Sequence, residues 1–147
     1  CMSGYRGSIA TSIPLDSKGD ITGSESIAWR YERDTPYVPS PLLYGNILFF
    51  NKSNNAILTC LDPRTGKAML ESTRLPGLNN IYASPVGAAD RVYFTGRDGT
   101  TLVLKRAAAV EILATNKLDD PIDASPAIAG KQLFFRSHKY LYCLENG

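Results

Sequence analysis

Three Ser-Pro dipeptides, Ser40-Pro41, Ser84-Pro85 and Ser125-Pro126, stand 44 and 41 residues apart. Each is followed a few residues later by an apolar, aromatic-rich run: Asn46-Ile-Leu-Phe-Phe50, Arg91-Val-Tyr-Phe94 and Gln132-Leu-Phe-Phe135. A period of about 40–45 residues is too short for a domain with its own core, so each unit must bury its apolar face against the next. This constrains the fold more than any property of the whole chain.

Within the first full period, four strand-like runs are expected at Tyr37 to Tyr44, Asn46 to Asn51, Ala56 to Asp62 and Lys67 to Arg74. They are separated by turn formers, Gly45-Asn46, Asn51-Lys-Ser-Asn-Asn55 and Asp62-Pro-Arg-Thr-Gly66. Such residues supply positive φ, a fixed φ or a side chain that caps its own backbone. The second period repeats the pattern from Tyr82 to Ala114, and a third gives three strands from Ala124 to Leu144. Before the first, Gly7 to Leu15 and Glu25 to Glu32 read as a third and a fourth strand. Four antiparallel strands per unit make a β-propeller blade. The expected fold is therefore all-β, a partial propeller of about three blades and 13 strands in one domain. Residues 1–36 form a half blade, 37–81 and 82–121 two blades, and 122–147 an incomplete one. Open blade faces of this kind seldom stay exposed. Either the chain is a fragment of a longer protein or copies self-associate through those faces.

Hydrophobic residues make up 44% and charged residues 20% of the 147, a globular balance that excludes disorder. The net charge of +2 is spread along the chain, with no Lys/Arg run of the kind that binds nucleic acid. No apolar stretch approaches the roughly 20 residues of a membrane-spanning helix. Of the three cysteines, Cys60 and Cys143 fall 20 and 18 residues after their Ser-Pro serines. The middle repeat puts Leu104 there, so these positions read as small core hydrophobes and buried thiols. Equivalent places in different blades are too far apart for a disulfide. Cys1 before Met2 fits an acylated lipoprotein terminus, an added residue or a break inside a longer reading frame; the 147 residues contain no charged-then-apolar signal segment that would support secretion directly.

The run Cys60-Leu-Asp-Pro-Arg-Thr-Gly-Lys-Ala-Met-Leu70 resembles the blade signature of the pyrroloquinoline-quinone-type propeller repeat. In that family Leu-Asp-x-x-Thr-Gly-Lys closes the hairpin between the third and fourth strands and a Trp follows. Leu70 holds the Trp place here, and Trp29 holds it in the preceding half blade. The second repeat departs from the signature at Leu104-Lys-Arg-Ala-Ala-Ala-Val110. Physically the motif is a turn: Asp62 and Thr65 can bond turn amides, Gly66 can take positive φ, and a Trp can wedge between blades. Family members that bind the quinone resemble eight-bladed rings with calcium, a Trp under the quinone and often a vicinal disulfide. With one Trp and no Cys-Cys pair, this chain is not expected to carry pyrroloquinoline quinone with calcium, nor any other cofactor. The better match is the non-catalytic branch, which includes outer-membrane assembly lipoproteins and uncharacterised bacterial members. Gly4-Tyr-Arg-Gly7, Thr35-Pro-Tyr-Val-Pro-Ser-Pro41 and Leu118-Asp-Asp120 resemble the C-terminal part of the latter. The resemblance implies a scaffold that docks a protein partner, in a periplasmic or other extracytoplasmic setting.

Blade topology gathers the loops entering each first strand, and those joining strands two and three, on one face. Arg33, Tyr37, Asn80, Tyr82, Arg97, Asp120, Asp123 and His138 belong to these loops and are the candidate binding residues, since rigid scaffolds present their ligands' contacts on loops. Asp119, Asp120 and Asp123 could offer oxygens to a hard cation, but they lack the spacing, Gly and Glu of an EF-hand. His138 is the only histidine and would have to serve any Ser-His-Asp chemistry, yet no Gly-x-Ser-x-Gly elbow occurs. Glu32, Asp34 and the Asp119 group contain the carboxylates a glycosidase would need. An enzyme, either a quinoprotein-like oxidoreductase or a carboxylate-dependent hydrolase, is the alternative to the scaffold.

Overall fold

A computed structural model describes residues 1–145 of the chain. Among them lie fourteen strands: β1 (Met2–Ser3), β2 (Ile9–Ser12), β3 (Trp29–Tyr31), β4 (Leu42–Tyr44), β5 (Ile47–Asn51), β6 (Ile57–Leu61), β7 (Ala68–Arg74), β8 (Val86–Ala88), β9 (Arg91–Thr95), β10 (Thr100–Lys105), β11 (Ile112–Lys117), β12 (Ala127–Ala129), β13 (Gln132–Arg136) and β14 (Leu141–Glu145). They form four antiparallel sheets, ordered β1-β2-β3, β4-β5-β6-β7, β8-β9-β10-β11 and β12-β13-β14. The short strand β8 lies against both β4 and β12, so the first strands of successive sheets line a common axis. The chain is a partial β-propeller.

β1 is one strand more than the sequence reading expects. It has two residues, held by the pairs Met2–Ala10 and Ser3–Ile9, and is too short to show any alternation. The first strands also start later than expected, at Leu42, Val86 and Ala127, because each begins only beyond its proline. Proline has no amide to give to a ladder, so pairing starts after it. β11 likewise runs from Ile112 to Lys117 rather than from Val110, since a register shift at Val103/Leu104 delays the pairing.

Sheets packed on both faces need apolar side chains on both, and the central strands show this. In β5, Phe49 and Phe50 point to opposite faces, and both are buried. Phe49 and Ile47 join Leu58, Val92, Phe94, Leu102 and Leu104 in the core between the second and third sheets. Phe50 joins Ala10, Tyr31 and Leu61 in the core between the first and second. Cys60, opposite Phe49, is fully buried, and burial pushes its thiol up to about 12, which leaves it unreactive. Cys143 occupies the same ladder place opposite Phe134, but on the outer face of the last sheet, where it is exposed. The expectation of a buried thiol therefore holds for Cys60 alone. The equivalent residue in the third sheet is Val103, opposite Tyr93, and not Leu104. All three cysteines are free.

Two contacts tie neighbouring sheets together. The Ser40 amide donates to the Ser84 hydroxyl oxygen at 2.9 Å, and the Ser84 amide donates to the Ser125 hydroxyl oxygen, also at 2.9 Å. The Ser-Pro repeat is thus an inter-sheet hydrogen-bond relay. Further out, the Trp29 indole donates to the Pro63 carbonyl at 2.8 Å, and its ring covers Gly66, whose φ is +68°. Within that turn Asp62 accepts from the Arg64 amide at 2.8 Å, and the Gly66 amide donates to the Asp62 carbonyl at 2.9 Å. The turn and the wedging Trp expected of the repeat signature are both in place.

Removing the Trp29 ring should cost about 3 kcal/mol, since it uncovers part of one core as well as a turn. Ser84→Ala should cost about 1 kcal/mol, the usual net worth of one hydrogen bond. Urea unfolding of Trp29→Ala and Ser84→Ala measures both. A Ser84→Ala midpoint equal to that of the unaltered chain would show that the relay adds no stability.

Candidate functional site

The loop face is built by one backbone scheme used three times. In the second, third and fourth sheets the hairpin between strands two and three bonds back to the segment entering that sheet. The Ser53 amide donates to the Thr35 carbonyl at 3.0 Å, Arg97 to Asn80 at 2.8 Å, and His138 to Pro121 at 2.9 Å. The second and third entry segments also bond to the hairpin of the preceding sheet, through the Ile81 amide to the Asn54 carbonyl and the Ile122 amide to the Arg97 carbonyl. Ile81 and Ile122 are fully buried and anchor their segments. One residue beyond each anchor the chain re-emerges, at Tyr82 and Asp123, with Tyr37 at the matching place in the first entry segment.

Entry and hairpin residues therefore alternate along an arc: Tyr37, Ser53, Tyr82, Arg97, Asp123, His138. The Arg97 guanidinium lies 4.1 Å from the centre of the Tyr82 ring, a cation–π contact. Its Nε and Nη2 both donate to the Asp123 carboxylate. The other side of that carboxylate meets His138, whose Nε2 is 3.0 Å from Asp123 Oδ2. Arg97, and then His138, hold the Asp123 carboxyl below the usual carboxylate range. Asp123 thus joins two sheets through its carboxylate.

The other candidate residues have different places. Asp120 is buried, and its carboxylate accepts from the Lys139 amide at 2.7 Å; the nearby Ser137 hydroxyl and that amide lower its pKa. It caps the last hairpin from within. Asn80 contributes through its backbone, which bonds Arg97 and pairs with Asn55. Arg33 turns away from the arc to Glu71, 3.4 Å distant on the outer strand β7. Tyr37 stacks on Tyr5, with ring centres 5.4 Å apart and an interplanar angle of 24°. Tyr5, in the hairpin between β1 and β2, escapes the sequence reading because β1 does; the Gly4-Tyr-Arg-Gly7 turn was its signal. Asp119, Asp120 and Asp123 do not converge, and among the described residues no group of three or more His, Cys, Asp or Glu could hold a metal ion.

No family model matches the sequence, and no curated protein does. Solved structures match in fold. BamB from Moraxella catarrhalis superposes with a TM-score of 0.67 at 18% identity, over 95% of this chain and 41% of that one. The computationally designed protein Ika4 gives 0.64 at 12% identity, over 84% of this chain and 75% of its own. The designed protein Ika8 gives 0.63 at 12%, over 84% of this chain and 37% of its own. The chain thus spans about two-fifths of the BamB chain it matches. At these identities the likeness is one of fold, and it agrees with the propeller arrangement of the four sheets.

Asp34, Asp98, Asp120 and Asp123 all titrate below the ordinary carboxylate value of 3.8 in the folded chain. A lowered folded pKa adds stability that is complete above the unfolded value and is lost as pH falls through the folded one. Urea midpoints should therefore drop steeply below about pH 4. Asp123→Asn should flatten that fall. An unchanged acid profile in the variant would mean that the Arg97–Asp123–His138 cluster carries no such coupling.

Proposed function

We propose that the chain is a non-catalytic propeller scaffold of the pyrroloquinoline-quinone-type repeat class, and that its loop face docks a protein partner. The arc from Tyr37 to His138 carries this reading. It presents aromatic, guanidinium, carboxylate and imidazole groups on backbone that is already hydrogen-bonded in place, so little ordering is needed on binding. Tyr and Arg are the residues most enriched at the energetic centres of protein interfaces. The Asp62–Gly66 turn and the Trp29 wedge support the repeat class.

The carboxylates favour this reading over a hydrolase. A glycosidase acid needs a raised pKa so that it holds a proton near neutrality. Asp120 and Asp123 are shifted the other way by hydrogen bonds that also hold the hairpins together.

Docking on this face predicts that proteins captured by the immobilised chain from extracts of its source cells are lost with Arg97→Glu or Tyr37→Ala. They should persist with Arg64→Glu, whose turn lies on the opposite face. Capture that ignores the loop-face variants would overturn the reading.

The outer face of the last sheet adds a second contact surface. Ala127, Phe134 and Cys143 share it by direct pairing, with Leu141 beside them, 70% exposed. Self-association through this face predicts a light-scattering mass above that of one chain at micromolar concentration, reduced to one chain by Phe134→Glu. A single-chain mass for the unaltered sequence would count against it.

A further inference from the structure

The first hairpin and the first Ser-Pro entry segment enclose a groove of about 260 Å³, whose walls include Tyr5, Pro36, Tyr37, Val38, Pro39 and Pro41. No charged side chain lines it. The two tyrosines are stacked yet more than half exposed, at 59% and 54%. We propose that this groove binds an extended, proline-containing segment of a partner, with an acidic residue flanking the prolines. The proposal rests on the loop-face docking reading and names the chemistry at one end of that face.

The local backbone is arranged to keep the aromatic pair outside. A Cβ at Gly4 would collide with the Thr35 and Pro36 carbonyls, so only glycine lets the hairpin lie on the entry segment. The Thr35 hydroxyl donates to the Ser3 carbonyl and locks that approach. Arg6 and Asp34, on either side, are held at φ of +56° and +51°, a region that non-glycine residues rarely enter. Asp34 is fixed there by Lys52, 2.8 Å away, and by the Ser72 hydroxyl.

The lining selects the ligand. A proline segment is already extended and loses little freedom on docking against aromatic rings. Its carbonyls have no internal partners, and the two tyrosine hydroxyls can donate to them. A sugar is the other ligand that stacks on tyrosine, but each of its hydroxyls needs a polar partner, whereas a proline segment needs partners only for its carbonyls. The volume is below the roughly 300–1,000 Å³ that engulfs a drug-sized molecule, which fits a short stretch of chain lying along the groove. The Arg6 guanidinium stands 5.3 Å from the Tyr5 ring centre and makes no ion pair among the described residues. It supplies the complement to an acidic flank.

The test is a titration of the isotope-labelled 147-residue chain, followed by amide shifts, with a capped peptide of two aspartates followed by six prolines. Saturable shifts are expected at Gly4, Tyr5, Tyr37 and Val38, with affinity falling about tenfold or more in Tyr37→Ala and Tyr5→Ala, the order of loss typical of an aromatic anchor. Arg6→Glu should weaken binding as well, and Arg64→Ala should not. Circular dichroism confirms that each variant is folded. Absence of saturable shifts at millimolar peptide, equal affinity in both tyrosine variants, or shifts of these amides by a chito-oligosaccharide and not by the peptide would each overturn the proposal. Capture from extracts that still depends on Arg97 would leave the loop-face reading standing after such a failure; loss of that dependence would remove both.

Discussion

The structure depends on a demand that no single sheet can meet. The second and third sheets have large apolar side chains on both faces, so each is stable only between neighbours, and the neighbours must hold a fixed distance and angle. The serine relay sets that geometry at the axis. Ser84 accepts from Ser40 with its side chain and donates to Ser125 with its backbone, so one residue registers three sheets. The proline that follows each serine ends the entry segment and starts the inner strand without wasting an amide. Farther from the axis, Trp29 on the Gly66 turn does similar work where the sheets diverge.

The repeat, the fold class and the turn signature were legible because they rest on local chemistry: proline and glycine positions, and dense apolar runs. What could not be read depends on pairing. β1 is two residues long and shows no alternation, so its ladder with β2 is what makes it a strand. Counting from Ser-Pro assigns Leu104 to the cysteine place, whereas the ladder assigns Val103. The reason is hairpin length. The residues opposite Phe49, Tyr93 and Phe134 are Cys60, Val103 and Cys143, so each hairpin is one residue shorter than the last.

The site divides in the same way. Topology alone places Tyr82, Arg97, Asp123 and His138 on one face, and the structure brings them into one connected cluster. Which partner a long side chain chooses is not a matter of topology. Arg33 sits in an entry segment but finds Glu71 at the rim, and Asp120 sits three residues before Asp123 but turns inward to hold a hairpin. The aromatic end of the face stayed hidden because Tyr5 belongs to a hairpin whose first strand the sequence does not announce.

The relay also has a sense of direction. In both of its links the earlier sheet gives a backbone proton and the later sheet receives it on a hydroxyl oxygen. Its two ends are therefore unlike: a spare acceptor at Ser40 and a spare donor at Ser125. Like ends cannot continue it. Any unit that extends the arc through this bond must join head to tail, a heterologous contact that winds toward a ring, and not the self-complementary contact of a two-fold dimer.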